Sequence, residues 1–339
     1  MDDRRWMEMA IAEGLKGRLD APPNPWVGCI LVKNGQIVGL GHHPECGLPH
    51  AEVYALREAG QNARGATAYV TLEPCVHTGR TLPCIHALIE AGVARVVVGV
   101  EDPDPKVSGS GIAALKIAGI KVTVGVEREA VELSLAPYLH HRRTGRPFVI
   151  AKTALSIDGR AAASDKTSQW ISCEAARRDA HEMRAESQAI LIGAGTAVKD
   201  SPQLTVRQVN KLPKKQPLRV LLDPNGKVPH DSPLYDLDLA PTLVFSEKME
   251  PEKILSILGE KGVIQLLIEG GPTTITQFLQ QHLIDRLIVY TGPCLLGSDG
   301  LPGFGSMGIC SMENALKLRL LESSAIGNSV KSVYAHTSQ

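Results

Sequence analysis

Residues 27–41 read VGCILVKNGQIVGLG, two short apolar runs on either side of Lys33-Asn34-Gly35. Asn-Gly supplies the two positive φ angles of a tight turn, so the stretch predicts an antiparallel hairpin. Outward from it the pattern changes. A helix is expected from about His50 to Gln61, a strand in 66–72 (ATAYVTL), a helix in 83–93 (PCIHALIEAGV), a strand in 94–100, a helix near Ile112 to Ala118 and a strand in 120–126. Strands that alternate with helices imply crossovers, and so a sheet with parallel neighbours. The polar run Arg142-Arg143-Thr144-Gly145-Arg146-Pro147 closes this pattern and predicts a linker between domains. Beyond it the alternation restarts with a strand in 147–155, a helix in 173–186 and strands in 189–193, 218–223, 241–245, 264–270 and 286–292, a second α/β domain. Val206 to Pro217 has no periodicity and reads as a surface loop.

A length of 339 residues agrees with two domains, each large enough to bury a core. Lys plus Arg and Asp plus Glu both total 36, so no net charge draws the chain to nucleic acid or to an anionic membrane. The aromatic content, 4 Phe, 3 Trp and 6 Tyr, is too small for a base-stacking platform. The N-terminus lacks an apolar core of the signal-peptide kind, and no stretch reaches about 18 uncharged apolar residues. A soluble, cytoplasmic protein with a small-molecule partner is expected, and homo-oligomerisation is compatible with that. Seven cysteines, odd in number and irregular in spacing, read as reduced thiols or metal ligands rather than a disulfide framework.

Pro49-His50-Ala51-Glu52 falls where the hairpin gives way to a helix, and Pro74-Cys75 follows a strand, with Cys84 at the start of the next helix. One imidazole and two thiolates suit Zn²⁺, and three protein ligands leave the open position of a catalytic site. Glu52, two residues from His50, is placed to take a proton from an activated water and return it to a leaving amine. H-x-E followed by P-C marks zinc nucleobase deaminases, although here the cysteines are spaced C-x8-C. A closed, structural four-ligand site completed by His43, Cys46 or His77 is the competing arrangement. Cys29, Cys46, Cys173, Cys294 and Cys310 read as small buried hydrophobes.

Asn24-Pro25-x-Val27-Gly28, Gly41-x-His43, Pro49-His50-Ala51-Glu52 and Thr71-Leu72-Glu73-Pro74-Cys75-x-His77-x-Gly79-Arg80-Thr81-x-x-Cys84 resemble the deaminase module of the bifunctional deaminase/reductases of riboflavin biosynthesis, whose mark is the widened cysteine spacing. The resemblance implies a cytidine-deaminase-like domain over 1–144. It also implies one Zn²⁺ on His50, Cys75 and Cys84, with Glu52 as proton shuttle. The implied reaction removes the 2-amino group of 2,5-diamino-6-ribosylamino-4(3H)-pyrimidinone 5′-phosphate, held by Asn24, His43, His77 and Arg80. Val76 and Leu82 depart from the family's usual Ser and Pro.

In the second half no G-x-G-x-x-G follows a strand, so a Rossmann site has no support. Glu269-Gly270-Gly271-Pro272-Thr273-Thr274 instead joins a strand to a helix, where small residues before free helix N–H groups form a phosphate cradle. Lys152-x-Ala154-x-Ser156-x-Asp158-Gly159-Arg160, Ser168-Gln169-Trp170-Ile171, Arg184-Ala185, Gly195-Thr196-Ala197-Val198, Asp200-x-Pro202-x-Leu204-Thr205-Val206-Arg207 and Glu269-Gly270-Gly271-Pro272 resemble the reductase module of the same family. The resemblance implies a dihydrofolate-reductase-like domain over 147–339 that uses NADPH to reduce a ribosyl group to ribityl. By position, Ala154, Trp170, Thr196, Asp200, Gly271, Pro272 and Thr273 would line the cofactor. Ser168, Arg184, Leu204, Arg207 and Glu269 would face substrate, with Arg184 and Arg207 as forks for its phosphate and Asp200 as the group that protonates or orients at C1′. Trp170 read without the resemblance is a core aromatic. Pro224 and Asn328-Ser329 depart from the family pattern. A tRNA or nucleoside deaminase with an accessory domain would show C-x-x-C and a basic surface, and a zinc-stabilised binding protein would have no use for Glu52.

Overall fold

The computed structural model describes residues 2–76, 83–105 and 107–336. The chain divides into two compact units, Met1–Gly145 and Arg146–Gln339.

The first unit contains α1 (Asp3–Leu15), β1 (Gly28–Lys33), β2 (Gln36–His42), α2 (Ala51–Ala59), β3 (Thr67–Leu72), α3 (Cys84–Glu90), β4 (Arg95–Val100), α4 (Ser110–Ile117), β5 (Lys121–Val124), α5 (Arg128–Ser134) and α6 (Ala136–Thr144). Its sheet runs β2-β1-β3-β4-β5. The hairpin β1–β2 forms around Asn34 and Gly35, at φ 51° and 75°, as the Asn-Gly turn requires. β1 is antiparallel to β3, whereas β3, β4 and β5 are parallel. Val96, Val97 and Val98 are all buried, which needs cover on both faces of the sheet. Helix α1, which no strong periodicity announces, is capped by the Asp2 carboxylate on the Arg4 N–H (3.1 Å) and buries Trp6, Met7 and Ala10. Gly41 brings α2 onto β2: a Cβ there would stand 2.2 Å from the Ala51 carbonyl oxygen, so only glycine lets the first turn of α2 approach.

The expected helix to Gln61 ends at Ala59, where Gly60 turns the chain at φ 52° into a 3₁₀ turn, Gly60–Ala63. The expected polar linker also differs. Arg142, Arg143 and Thr144 form the last turn of α6, where positive side chains suit the negative helix end, and Gly145 closes it at φ 73° with its N–H on the His141 carbonyl (2.8 Å). Only residues 145–147 separate α6 from the next strand.

The second unit contains β6 (Phe148–Leu155), β7 (Arg160–Ala162), α7 (Glu174–Glu186), β8 (Ala189–Gly193), α8 (Ala194–Asp200), β9 (Leu218–Leu222), β10 (Thr242–Phe245), α9 (Pro251–Glu260), β11 (Gln265–Ile268), α10 (Pro272–Gln280), β12 (Arg286–Thr291), β13 (Leu301–Pro302), β14 (Leu318–Ile326) and β15 (Ser329–His336). Its main sheet runs β10-β9-β8-β11-β6-β12-β15-β14, parallel from β10 to β12 and antiparallel through the C-terminal hairpin. Val149, Leu191, Leu266, Ile268 and Phe278 lie in its main core. Neighbours β8 and β11 send their connections opposite ways: β8 leads through α8 to β9, and β11 leads through α10 to β12. Such a divergence opens a crevice beyond the carboxyl ends of the two strands, the usual ligand position in an open α/β sheet. Among the described residues no helix is long and apolar enough to cross a membrane.

Candidate active sites

In the first unit His50 is the N-cap of α2, Cys75 follows β3 through Pro74, and Cys84 opens α3. His50 Nδ1 stands 3.1 Å from Cys84 Sγ and 3.5 Å from Cys75 Sγ, and the two sulfurs are 3.5 Å apart. Donors of a tetrahedral zinc at about 2.0–2.3 Å lie roughly 3.4–3.8 Å from one another, so this set fits the ion closely. Glu52, in the first turn of α2, is 3 % exposed; burial raises its carboxyl above the usual range, against the pull of His50.

The competing four-ligand arrangement fails at His43. Its Nδ1 donates to the Pro49 carbonyl (3.1 Å) and its Nε2 accepts from the Asn24 amide (3.1 Å), so neither nitrogen is free for metal. Burial lowers its pKa, which keeps the ring neutral. Cys46 is exposed, and among the described residues the one cluster of three or more His, Cys, Asp or Glu side chains fit to hold a metal is His50, Cys75 and Cys84. His77 and Arg80 lie outside the described residues. Of the cysteines expected to be buried, Cys29 is; Cys173 and Cys294 are half-buried, and Cys46 and Cys310 are exposed, because their loops lack the apolar cover of β1.

Glu73, two residues before Cys75, was not singled out from the sequence. Its buried carboxylate accepts the N–H groups of Gly111 (2.8 Å), Gly109 (2.9 Å), Ile112 (3.2 Å) and Asp102 (3.3 Å), tying the segment after β4 to the end of β3. An acidic residue immediately after an apolar strand was the available signal.

In the second unit a cavity of about 1370 Å³ lies at the β8–β11 crevice. Ala154, Trp170, Thr196, Asp200, Gly271, Pro272 and Thr273 are on its wall, as are Ser168, Arg184, Leu204, Arg207 and Glu269, so the fold gathers residues up to 119 positions apart. Gly193 and Gly271 are the N-caps of α8 and α10. A Cβ on Gly193 would stand 2.7 Å from Thr274 Oγ1, and one on Gly271 would stand 3.0 Å from Thr196 Oγ1. Two glycines therefore let two helix starts sit side by side on the cavity wall, an arrangement suited to a dinucleotide's phosphates because the first-turn N–H groups of a helix have no partner within it. Trp170 is 67 % exposed, not a core aromatic, and its indole lies under the Arg177 guanidinium at 4.3 Å.

Glu269 follows β11 and receives Arg184 of α7 in a bidentate pair, Nη2 to Oε2 at 2.9 Å, while Lys152 Nζ of β6 stands 4.0 Å away. Burial alone would raise the Glu269 carboxyl, but Arg184 and Lys152 outweigh it and hold the pKa at about 2. The remaining Arg184 nitrogen, Nη1, donates to the Thr205 carbonyl (3.3 Å). Arg184 is thus not the open phosphate fork expected from the sequence, because a carboxylate 85 residues away already occupies it. Arg207 is different: it is exposed at the cavity, its Nη1 donates to Gln203 Oε1 (2.8 Å), and among the described residues no carboxylate lies within ion-pair distance of it. Asp200, the last residue of α8, is exposed on the same wall. Two further wall residues carry a positive or titratable side chain, Lys152 and His181. Lys152 is the one charged residue of β6, and His181 shares a helix face with Arg177 and Arg184 at i, i+4 and i+7. Burial, Arg184 and Arg207 push the His181 imidazole down to about 4, leaving it neutral.

The first unit therefore has the donor set and buried acid of a zinc-dependent hydrolase, and the second the cradle and cationic cavity of a nucleotide-dependent oxidoreductase. Comparison with known proteins agrees on both halves. The family model described as the cytidine and deoxycytidylate deaminase zinc-binding region matches residues 1–100, and the RibD C-terminal domain matches residues 147–332. The riboflavin biosynthesis protein RibD of Chlamydia trachomatis is 42 % identical over 97 % of this chain and 94 % of its own, and that of Escherichia coli 40 % identical over 94 % and 93 %. The solved structure of Acinetobacter baumannii RibD (form 1) superposes with a TM-score of 0.93 at 38 % identity, covering 99 % of both chains. The Thermotoga maritima diaminohydroxyphosphoribosylaminopyrimidine deaminase/5-amino-6-(5-phosphoribosylamino)uracil reductase gives 0.89 at 33 % identity, again with 99 % of both chains covered. The chain belongs to the RibD family, bifunctional enzymes of riboflavin biosynthesis that join a zinc-binding deaminase domain to an NADPH-dependent reductase domain.

Proposed function

We propose that residues 1–144 hydrolytically deaminate 2,5-diamino-6-ribosylamino-4(3H)-pyrimidinone 5′-phosphate and that residues 147–339 reduce the ribosyl group of the product to ribityl. The observation that carries the first half is the convergence of His50, Cys75 and Cys84 within 4.8 Å beside the buried Glu52. Zinc held by these three side chains supplies Lewis-acid activation of water. Glu52, buried in the first turn of α2 two residues from His50, is the carboxylate placed to take a proton from the attacking water and return it to the departing amine. Asn24 and the neutral His43 hold the base, with His77 and Arg80 as further substrate contacts.

In the second half the nicotinamide cofactor supplies hydride. Ala154, Trp170, Thr196, Asp200 and residues 271–273 line it, while Ser168, Arg184, Leu204, Arg207 and Glu269 face the substrate. Arg207 meets the phosphate directly. Arg184 and Lys152 against Glu269 leave one net positive charge under the cavity, which favours the same dianion at longer range. Glu269, held ionised, positions Arg184; Asp200 protonates or orients the group at C1′ as hydride arrives. We place the enzyme in the cytoplasm with a phosphorylated pyrimidine as its partner, a reading that zero net charge supports over nucleic acid.

The test is sequential. Purified protein given the diamino precursor should release ammonia and only then oxidise NADPH, whereas the deaminated compound should support NADPH oxidation at once. NADPH oxidation without prior ammonia release would refute the assigned order.

A further inference from the structure

Arg219 lies in β9 and is 0 % exposed. Its guanidinium is taken up by four backbone carbonyls: Nη2 donates to Ala240 (2.6 Å) and Asp236 (2.7 Å), and Nη1 to Pro233 (2.8 Å) and Gln203 (3.2 Å). A buried guanidinium is costly to keep unless its donors are met; here Nη1 and Nη2 are met by main-chain carbonyls outside the sheet ladder, while the buried Nε has no hydrogen-bond partner among the described residues. The Gln203 contact is the informative one. The next residue, Leu204, is held at φ 51°, a left-handed conformation that a branched side chain adopts only under constraint. Three further side chains seize the same short segment. Arg184 donates to the Thr205 carbonyl (3.3 Å), Gln216 Oε1 accepts the Val206 N–H (2.7 Å) and His181 Nδ1 accepts the Arg207 N–H (3.2 Å). Residues 203–207 are thus shaped by side chains rather than by a ladder, and Arg219 is the anchor from the core side of the sheet.

We propose that Arg219 is a positioning residue of the reductase: through the Gln203 carbonyl it fixes Leu204 and Arg207 on the cavity wall and so sets affinity for the phosphorylated substrate. This rests on Arg207 being the phosphate contact. Arg219 touches no ligand itself; it reaches substrate only through the backbone it holds. Lysine keeps the charge but carries one nitrogen, which cannot span carbonyls of Gln203, Pro233, Asp236 and Ala240 together.

The experiment compares wild type, Arg219→Lys and Arg219→Gln in the full chain, with NADPH binding followed by fluorescence titration, KM measured for each substrate and tryptic cleavage after Arg207 followed by mass spectrometry. The expected result is unchanged NADPH affinity, a substrate KM raised about ten- to a hundredfold, and faster cleavage after Arg207, with the lysine variant closer to wild type. In an Arg207→Ala background, Arg219→Lys should add nothing further to the substrate KM, since both act through one contact. Unchanged substrate KM, equal rises in both KM values, or loss of NADPH binding in both variants would overturn the proposal, the last by showing that Arg219 serves the whole unit. If wild type does not reduce the deaminated compound, the functional reading fails, while the tryptic pattern still reports on the loop.

Discussion

Glu269→Gln preserves shape and removes one charge from between two buried cations. The carboxyl's pKa of about 2, against an ordinary 4.5, corresponds at 1.36 kcal/mol per pH unit to about 3 kcal/mol in favour of the ionised form. The side chain is only 8 % exposed, so solvent screening removes little of this. The figure agrees with the roughly 3–5 kcal/mol lost when one partner of a buried pair is deleted. In a domain of this size each kcal/mol moves Tm by about 2–4 °C, so the reductase transition should fall by about 6–12 °C at pH 7. The folded pKa lies below the unfolded one, so the contribution is complete above about pH 4.5 and disappears as pH falls through about 2. The gap between wild type and variant should therefore narrow below pH 4.5, to about half or less by pH 3. Adding Lys152→Met to Glu269→Gln should recover part of the loss, because an unpaired buried ammonium is removed with it. Differential scanning calorimetry across that pH range is the assay. A Tm change under about 2 °C at pH 7, or a gap that stays constant down to pH 3, would refute the account of Arg184, Lys152 and Glu269 as a charge-balanced cluster.

Cys84→Ser should lose zinc, by atomic absorption, together with ammonia release, because two ligands are too few for a tight site; full zinc occupancy would remove Cys84 from the set. Glu52→Gln should keep its zinc while deamination falls by about 10² to 10⁴, and near-normal turnover would mean another group moves the proton. Arg207→Ala should raise the substrate KM at little cost to kcat, as expected for a phosphate contact felt equally in ground and transition states; an unchanged KM would put the phosphate elsewhere. Asp200→Asn should depress reduction and leave ammonia release intact, and a normal rate of NADPH oxidation would end its catalytic assignment.

The parts legible in the sequence were those whose physics is local. Asn34-Gly35 names its turn without help from the rest of the chain, and His50, Glu52, Cys75 and Cys84 fall at strand-to-helix edges that short-range periodicity can locate. Helix α1 was not legible because its burial comes from packing on β1, and β14 because its residues are nearly all exposed and carry no alternation. Arg142 to Thr144 looked like a linker since charge at a helix end and charge in a loop read alike until the Gly145 cap is seen. Arg184 and Arg219 were opaque for a deeper reason. A basic residue announces its charge but not its partner, and theirs are a carboxylate 85 positions away and a set of main-chain carbonyls, which have no sequence signature at all.

The Glu73 carboxylate, with four amide hydrogens aimed at it, makes size a poor guide to what that position accepts. Glutamine has nearly the same volume, yet half of its head group is a donor and would confront amides that are donors too. What such a position tolerates is set by polarity and not by space: a replacement of equal bulk that brings a donor leaves amides facing a donor, and the segment beyond β4 loses the one anion on which its amides converge.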